Sequence, residues 1–258
     1  YIPVAHWIWG GGWLAQRGVM DFAGGIVVHT TAGISALVIA LMIGKRKGFP
    51  THMIQPHSPA LTMVGAGMLW VGWFGFNGGS ALAATSAAGS ALLATHLAAS
   101  SAALAWGALE WFKIKKATSV GLVTGAVAGL ATITPCAGYV SPASAVIIGI
   151  AGTLICFGAV MAVKQKWKVD DSLDVFAVHG VGGMTGSLLL AVFGTGLVAN
   201  AGIVPQLTGV VVTAVWSAVA TLVLAKIAAL AIPMRVDAEA EHDGLDVTSH
   251  GERAYEFD

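Results

Sequence analysis

Two histidines, His29 and His179, sit deep inside long apolar runs, where few ionisable residues are found. Asp21 precedes the first by eight residues and Asp174 precedes the second by five, with glycines close to both histidines. Ionisable side chains at membrane depth are costly, so each marks a candidate functional site. Burial disfavours the charged imidazole. Two neutral imidazoles facing each other can share one proton, each nitrogen acting as donor or acceptor. Such a pair can hold a small hydrogen-bonding solute, or relay a proton, without placing a full charge in the bilayer. It suits a bare alkali cation poorly, because that ion prefers carbonyl or carboxylate oxygens. His96 lacks a comparable setting and reads as a packing residue, while His6, His52 and His57 fall in loops.

The elements that must carry this pair follow from composition. Of the 258 residues, 56% are hydrophobic and only 10% charged, whereas soluble domains carry roughly 25% charged residues. Seven apolar runs, at 19–43, 61–84, 88–112, 119–138, 143–163, 172–198 and 204–232, are each long enough to cross a hydrocarbon core of about 30 Å. The expectation is an all-α membrane protein with seven transmembrane helices. A pore domain over 19–235 is expected between an interfacial segment, 1–18, and a polar tail, 236–258. Both histidines then fall near the membrane midplane. The first and sixth runs cross in opposite directions, so the Asp-then-His order is inverted between them, as in inverted-repeat transporters. Glycines four apart (Gly121, Gly125 and Gly129; Gly182 and Gly186; Gly75 and Gly79) predict close approach of helix backbones.

Basic residues follow the odd-numbered runs: Lys45, Arg46 and Lys47, then Lys113, Lys115 and Lys116, then Lys164, Lys166 and Lys168, then Arg235. The loops after the second, fourth and sixth runs carry no Lys or Arg. Short basic loops stay cytoplasmic, so the N-terminus is expected outside and the tail inside a cell membrane. An outside N-terminus without a signal pattern or an initiator Met points to upstream spans missing from this sequence. Cys136 and Cys156 read as small core residues. Neither metal ligation nor nucleic-acid binding is suggested.

Several segments together resemble one family, the Amt/MEP/Rh ammonium transporters, in their bacterial or archaeal Amt form. They are Ala5–Gly12 with Asp21–His29, the stretch Gly72-Trp73-Phe74-Gly75-Phe76-Asn77-Gly78-Gly79-Ser80, Val169–Asp171 with Asp174–Gly183, and the tail Gly244–Glu252. The similarity runs in order along the whole chain. It implies an eleven-helix inverted-repeat fold, of which this sequence supplies helices five to eleven, and a homotrimer with one pore per subunit. The resemblance implies that His29 and His179 form the pore and proton-relay pair. By the same resemblance, Trp9, Ser80 and Asp21 recruit ammonium outside and Phe76 is one ring of the gate. Without it, Trp9 reads as an interfacial anchor. Asp174, Gly244, Asp246, Ser249 and His250 become possible regulatory positions, with a PII-type signal protein as a possible partner of the tail. No cofactor or metal is implied, and the 258 residues alone are expected to be inactive.

Two alternatives belong to other classes. One is an ammonium sensor that binds and signals. The other is a membrane redox protein with haem between two histidines, which commonly uses four matched histidines where this sequence offers two.

Overall fold

A computed structural model describes residues 1–52, 56–198 and 202–253; the last five residues of the tail, 254–258, lie outside the described residues. Among the described residues, every regular element is helical. Two short helices, α1 (Ile2–Trp9) and α2 (Trp13–Gln16), lead into the spans. These are α3 (Gly25–Ile43), α4 (Pro59–Gly79), α5 (Ser86–Ile114), α6 (Ser119–Ile133), α7 (Pro142–Lys166), α8 (Val175–Phe193) and α9 (Ile203–Ala229). The tail forms α10 (Ala238–Asp243) and α11 (Leu245–His250). Six of the spans are long and apolar enough to cross a membrane.

The seventh, α6, has only 15 residues, about 22 Å of helix. Pro135 limits it: Thr134 is still helical, at φ -48° and ψ -49°, but proline has no N–H to extend the ladder by another bond. The chain continues in turns through Tyr139. Those turns are lined by protein: the Pro135 carbonyl accepts the Phe22 N–H at 3.1 Å, and the Pro135 ring packs where a side chain on Gly25 would stand. Irregular backbone at membrane depth is tolerated where protein surrounds it.

Local signals explain the helix starts. Ser58 and Ser141 each cap a helix whose first residue is proline, accepting the Leu61 and Ser144 N–H groups, and Thr118 caps α6 by accepting the Gly121 N–H. Inside the bundle, hydroxyls return to their own helix. Thr95, Thr132 and Ser187 donate to carbonyls four residues back at 2.6, 2.8 and 2.8 Å. That satisfies polar groups where no water can.

Glycine spacing works as expected on α6, where Gly121, Gly125 and Gly129 lie against Glu110, Trp106 and Ala98 of α5. Gly182 and Gly186 likewise meet Thr132. Gly75 and Gly79 differ: among the described residues nothing lies within 4 Å of the place a side chain would take, because α4 is largely uncovered along its length.

Candidate functional site

The segments carrying the two histidines are built alike. Asp21 lies just before α3, and its carboxylate accepts four backbone N–H groups: Gly24 and Gly25 at 2.8 Å, Ile26 at 2.8 Å and Val27 at 3.0 Å. These are the orphan donors of a helix start, which an anion satisfies best. Gly24 makes the entry turn at φ 119°, and Gly25–Thr30 is a π-helical turn ending beside His29. Before α8, Asp171 accepts the N–H groups of Val175, Phe176 and Ala177 at 2.9, 2.9 and 3.2 Å. Asp174 makes the entry turn at φ 56°, and Val175–Gly180 is again π-helical, with His179 in its last turn. Each element of the first segment therefore recurs 150 positions later, the separation of the two histidines.

Sequence reasoning matched Asp174 with Asp21, and the structure gives that place to Asp171. Asp174 instead occupies the position of Gly24 and pairs with Lys164 at 2.7 Å. The signal was present: Asp21 to His29 and Asp171 to His179 are both eight residues.

The two spans cross in opposite directions at contacts that admit no side chain. Gly33 abuts the Gly180 backbone, and Gly183 lies against His29 Cβ and the Gly25 carbonyl. This close crossing brings His29 Nδ1 and His179 Nδ1 to 3.3 Å, with ring centroids 5.2 Å apart. His29 is buried, with 4% of its surface exposed. Trp73 of α4 stacks on both imidazoles, its centroid 5.4 Å from His29 and 6.2 Å from His179, at interplanar angles of 17° and 15°. The indole N–H donates to Thr134 Oγ1 at 3.0 Å, and that oxygen also lies 3.3 Å from His29 Nε2. Phe76 stands 6.1 Å from the His29 ring, and a cavity of about 310 Å³ is lined by Val28, His29, Leu69, Gly72, Trp73 and Phe76. Apart from the imidazole and indole nitrogens, this lining is hydrocarbon, so it can admit a small neutral hydrogen-bonding molecule far more readily than a bare charge.

The other candidates are placed around this centre. Trp9 is 43% exposed and donates its indole N–H to the Asp21 carbonyl at 2.7 Å, so its face stays open over the start of α3. Ser80 donates to the Phe76 carbonyl at 2.9 Å, one turn back along α4. Gly244, Asp246, Ser249 and His250 lie on the exposed tail, far along the chain from the pair, with Gly244 at φ 99° opening α11. Thr134 and Trp73 are the residues at the pair that sequence reasoning left without a role. The available sign of Thr134 was a hydroxyl next to a proline inside an apolar run. Among the described residues, no group of His, Cys, Asp and Glu is arranged to hold a metal ion.

A family model described as the Ammonium Transporter Family matches residues 1–255. Ammonium transporter Amt1 of Archaeoglobus fulgidus is 46% identical over 264 residues, covering 99% of this chain and 67% of that protein. The crystal structure of Saccharomyces cerevisiae Mep2 superimposes with a TM-score of 0.83 at 37% identity, covering 90% of this chain and 58% of that one. A sensor Amt protein gives a TM-score of 0.88 at 34% identity, covering 95% and 65%. The chain thus spans between 58% and 67% of the length of these proteins.

Proposed function

The chain belongs to the ammonium transporter family, and from that premise we propose that it carries ammonium nitrogen across a cell membrane past His29 and His179. The observation that carries the reading is the 3.3 Å imidazole pair walled by hydrocarbon and indole. Ammonium is recruited at the Trp9 face, where an aromatic ring attracts a cation, with Ser80 offering an acceptor that alkali ions cannot exploit by donating. Asp21 orders this entrance by tying down the start of α3. Desolvating the full charge opposes entry beyond Phe76, so the ion leaves its proton near that gate and ammonia passes along the histidines. This is transport rather than catalysis, and it needs no cofactor.

The same reading places residues 1–18 at the outer surface, 19–235 in the membrane and 236–258 in the cytoplasm, in a homotrimer. The exposed tail residues Gly244, Asp246, Ser249 and His250, with Asp174 at the same face, are the docking region for a PII-type signal protein. A second reading, an ammonium sensor, draws on the TM-score of 0.88 to a protein described as a sensor Amt protein.

The test is ammonium-elicited current in proteoliposomes holding the full-length protein, against a His29→Ala, His179→Ala variant. A current with ammonium and none with potassium, changed in the variant, supports the reading. A silent protein that also fails to take up labelled methylammonium, while still binding ammonium, overturns transport in favour of sensing.

A further inference from the structure

We propose that Thr134 fixes which nitrogens of the histidine pair carry hydrogen, and so gives the pair a single open acceptor, Nε2 of His179. A threonine hydroxyl has one hydrogen to give and two lone pairs to receive. Thr134 Oγ1 gives its hydrogen to the Leu130 carbonyl at 2.7 Å, its shortest contact. One lone pair receives the Trp73 indole N–H at 3.0 Å, and an indole nitrogen can only donate. What remains for His29 Nε2, at 3.3 Å, is the second lone pair, so His29 carries its hydrogen on Nε2. Neutral His29 then presents a bare Nδ1 toward His179, and the 3.3 Å contact between the two Nδ1 atoms requires the hydrogen on His179 Nδ1. His179 Nε2 is left bare, and among the described residues it makes no hydrogen bond.

The pair is therefore polar along its length. Trp73 and His29 both donate into Thr134, and His179 donates into His29. A solute N–H finds its acceptor at His179. At the other end the Thr134 oxygen has both lone pairs occupied, so a solute N–H finds no acceptor there. The bearing on ammonia conduction rests on the transport reading above; the hydrogen arrangement itself does not.

The experiment uses the full-length protein in lipid at neutral pH, with ring-15N-labelled histidine. Signals are assigned by their loss in His29→Asn and His179→Asn variants. Protonated and bare ring nitrogens separate widely in 15N shift. The expected spectrum shows hydrogen on His29 Nε2 and His179 Nδ1. Thr134→Val, similar in volume, is expected to mix the two arrangements, and Thr134→Ser to restore the original one. A bare His29 Nε2 in the unaltered protein overturns the proposal, as does a Thr134→Val spectrum identical to it. Ammonium flux is read in parallel: a several-fold loss in Thr134→Val, recovered in Thr134→Ser, ties the arrangement to conduction. The expected spectrum in a protein that moves no ammonium upholds the hydrogen arrangement and removes the transport reading, and the converse result does the opposite.

Discussion

Replacing Gly33 by alanine is the sharpest test of the crossing that creates the site. A methyl group there lands on the Cα and N of Gly180, far inside the 3.4–4 Å of ordinary contact, and no flexible side chain can yield. The two backbones must part by on the order of 1 Å, and overpacking of this kind costs about 1–3 kcal/mol, with backbone against backbone at the upper end. His29 lies one turn away on the same helix, so the 3.3 Å contact between the imidazoles opens to roughly 4 Å, beyond hydrogen-bonding reach. Gly180→Ala is milder, because its methyl meets Gly33 Cα and the Phe176 ring at 3.1 Å, where a shift of a few tenths of an ångström suffices. Gly158→Ala meets nothing within 4 Å among the described residues and serves as the reference. Thermal unfolding in detergent should rank Gly33→Ala below Gly180→Ala below Gly158→Ala. The first should fall by several degrees, taking about 2–4 °C per kcal/mol for a chain of this size, and should lose most ammonium flux. A Gly33→Ala protein that melts with the reference and conducts normally would refute the argument that this contact sets the histidine separation.

Asp171→Asn strips the charge from a carboxylate receiving three backbone N–H groups; with charge-assisted bonds at about 1.5–3 kcal/mol each and partial replacement by the amide oxygen, a loss of about 2–4 kcal/mol is expected in chemical unfolding. Burial pushes the Asp170 carboxyl up, but hydrogen bonds from the Arg46 side chain and backbone, together with its charge, outweigh it and hold the group below its ordinary 3.8. This clasp therefore contributes fully above that value and is lost only as pH falls through the depressed one, so melting temperature should decline below about pH 4, and Asp170→Asn should flatten that limb. Arg235 grips Glu241 at 2.6–2.8 Å and reaches the Ile43 carbonyl at 3.2 Å. Because this contact is at the surface, Glu241→Arg should leave the melting temperature unchanged while limited proteolysis cuts the tail faster.

The spans were legible because a bilayer imposes one demand, a run of about 20 apolar residues, and the histidines stood out against it as intramembrane ionisable groups. The local devices were less legible. Asp174 is nearer to His179 in sequence than Asp171, and nothing in residue type tells which of two aspartates accepts the helix amides and which takes the left-handed turn. The short α6 was hidden because turns lined by protein can be as apolar as helix. Thr134 and Trp73 acquire their roles only when α6 and α4 are laid against α3. Gly75 and Gly79 show the reverse failure: the spacing was right for close packing, yet among the described residues α4 presents those positions to no neighbour.

The π-helical turns that carry His29 and His179 hold one residue more than α-helical turns would. Each residue advances a helix by about 100°. The extra residue thus sets the angular phase between the aspartate-anchored start of the span and the glycine crossing that follows. Chain length, rather than any particular side chain, encodes this phase. Conservative substitutions such as Ile26→Val or Val27→Ile leave it intact, whereas deleting a single residue would swing the imidazole to another face of its helix while every amino acid implicated in the site remained present.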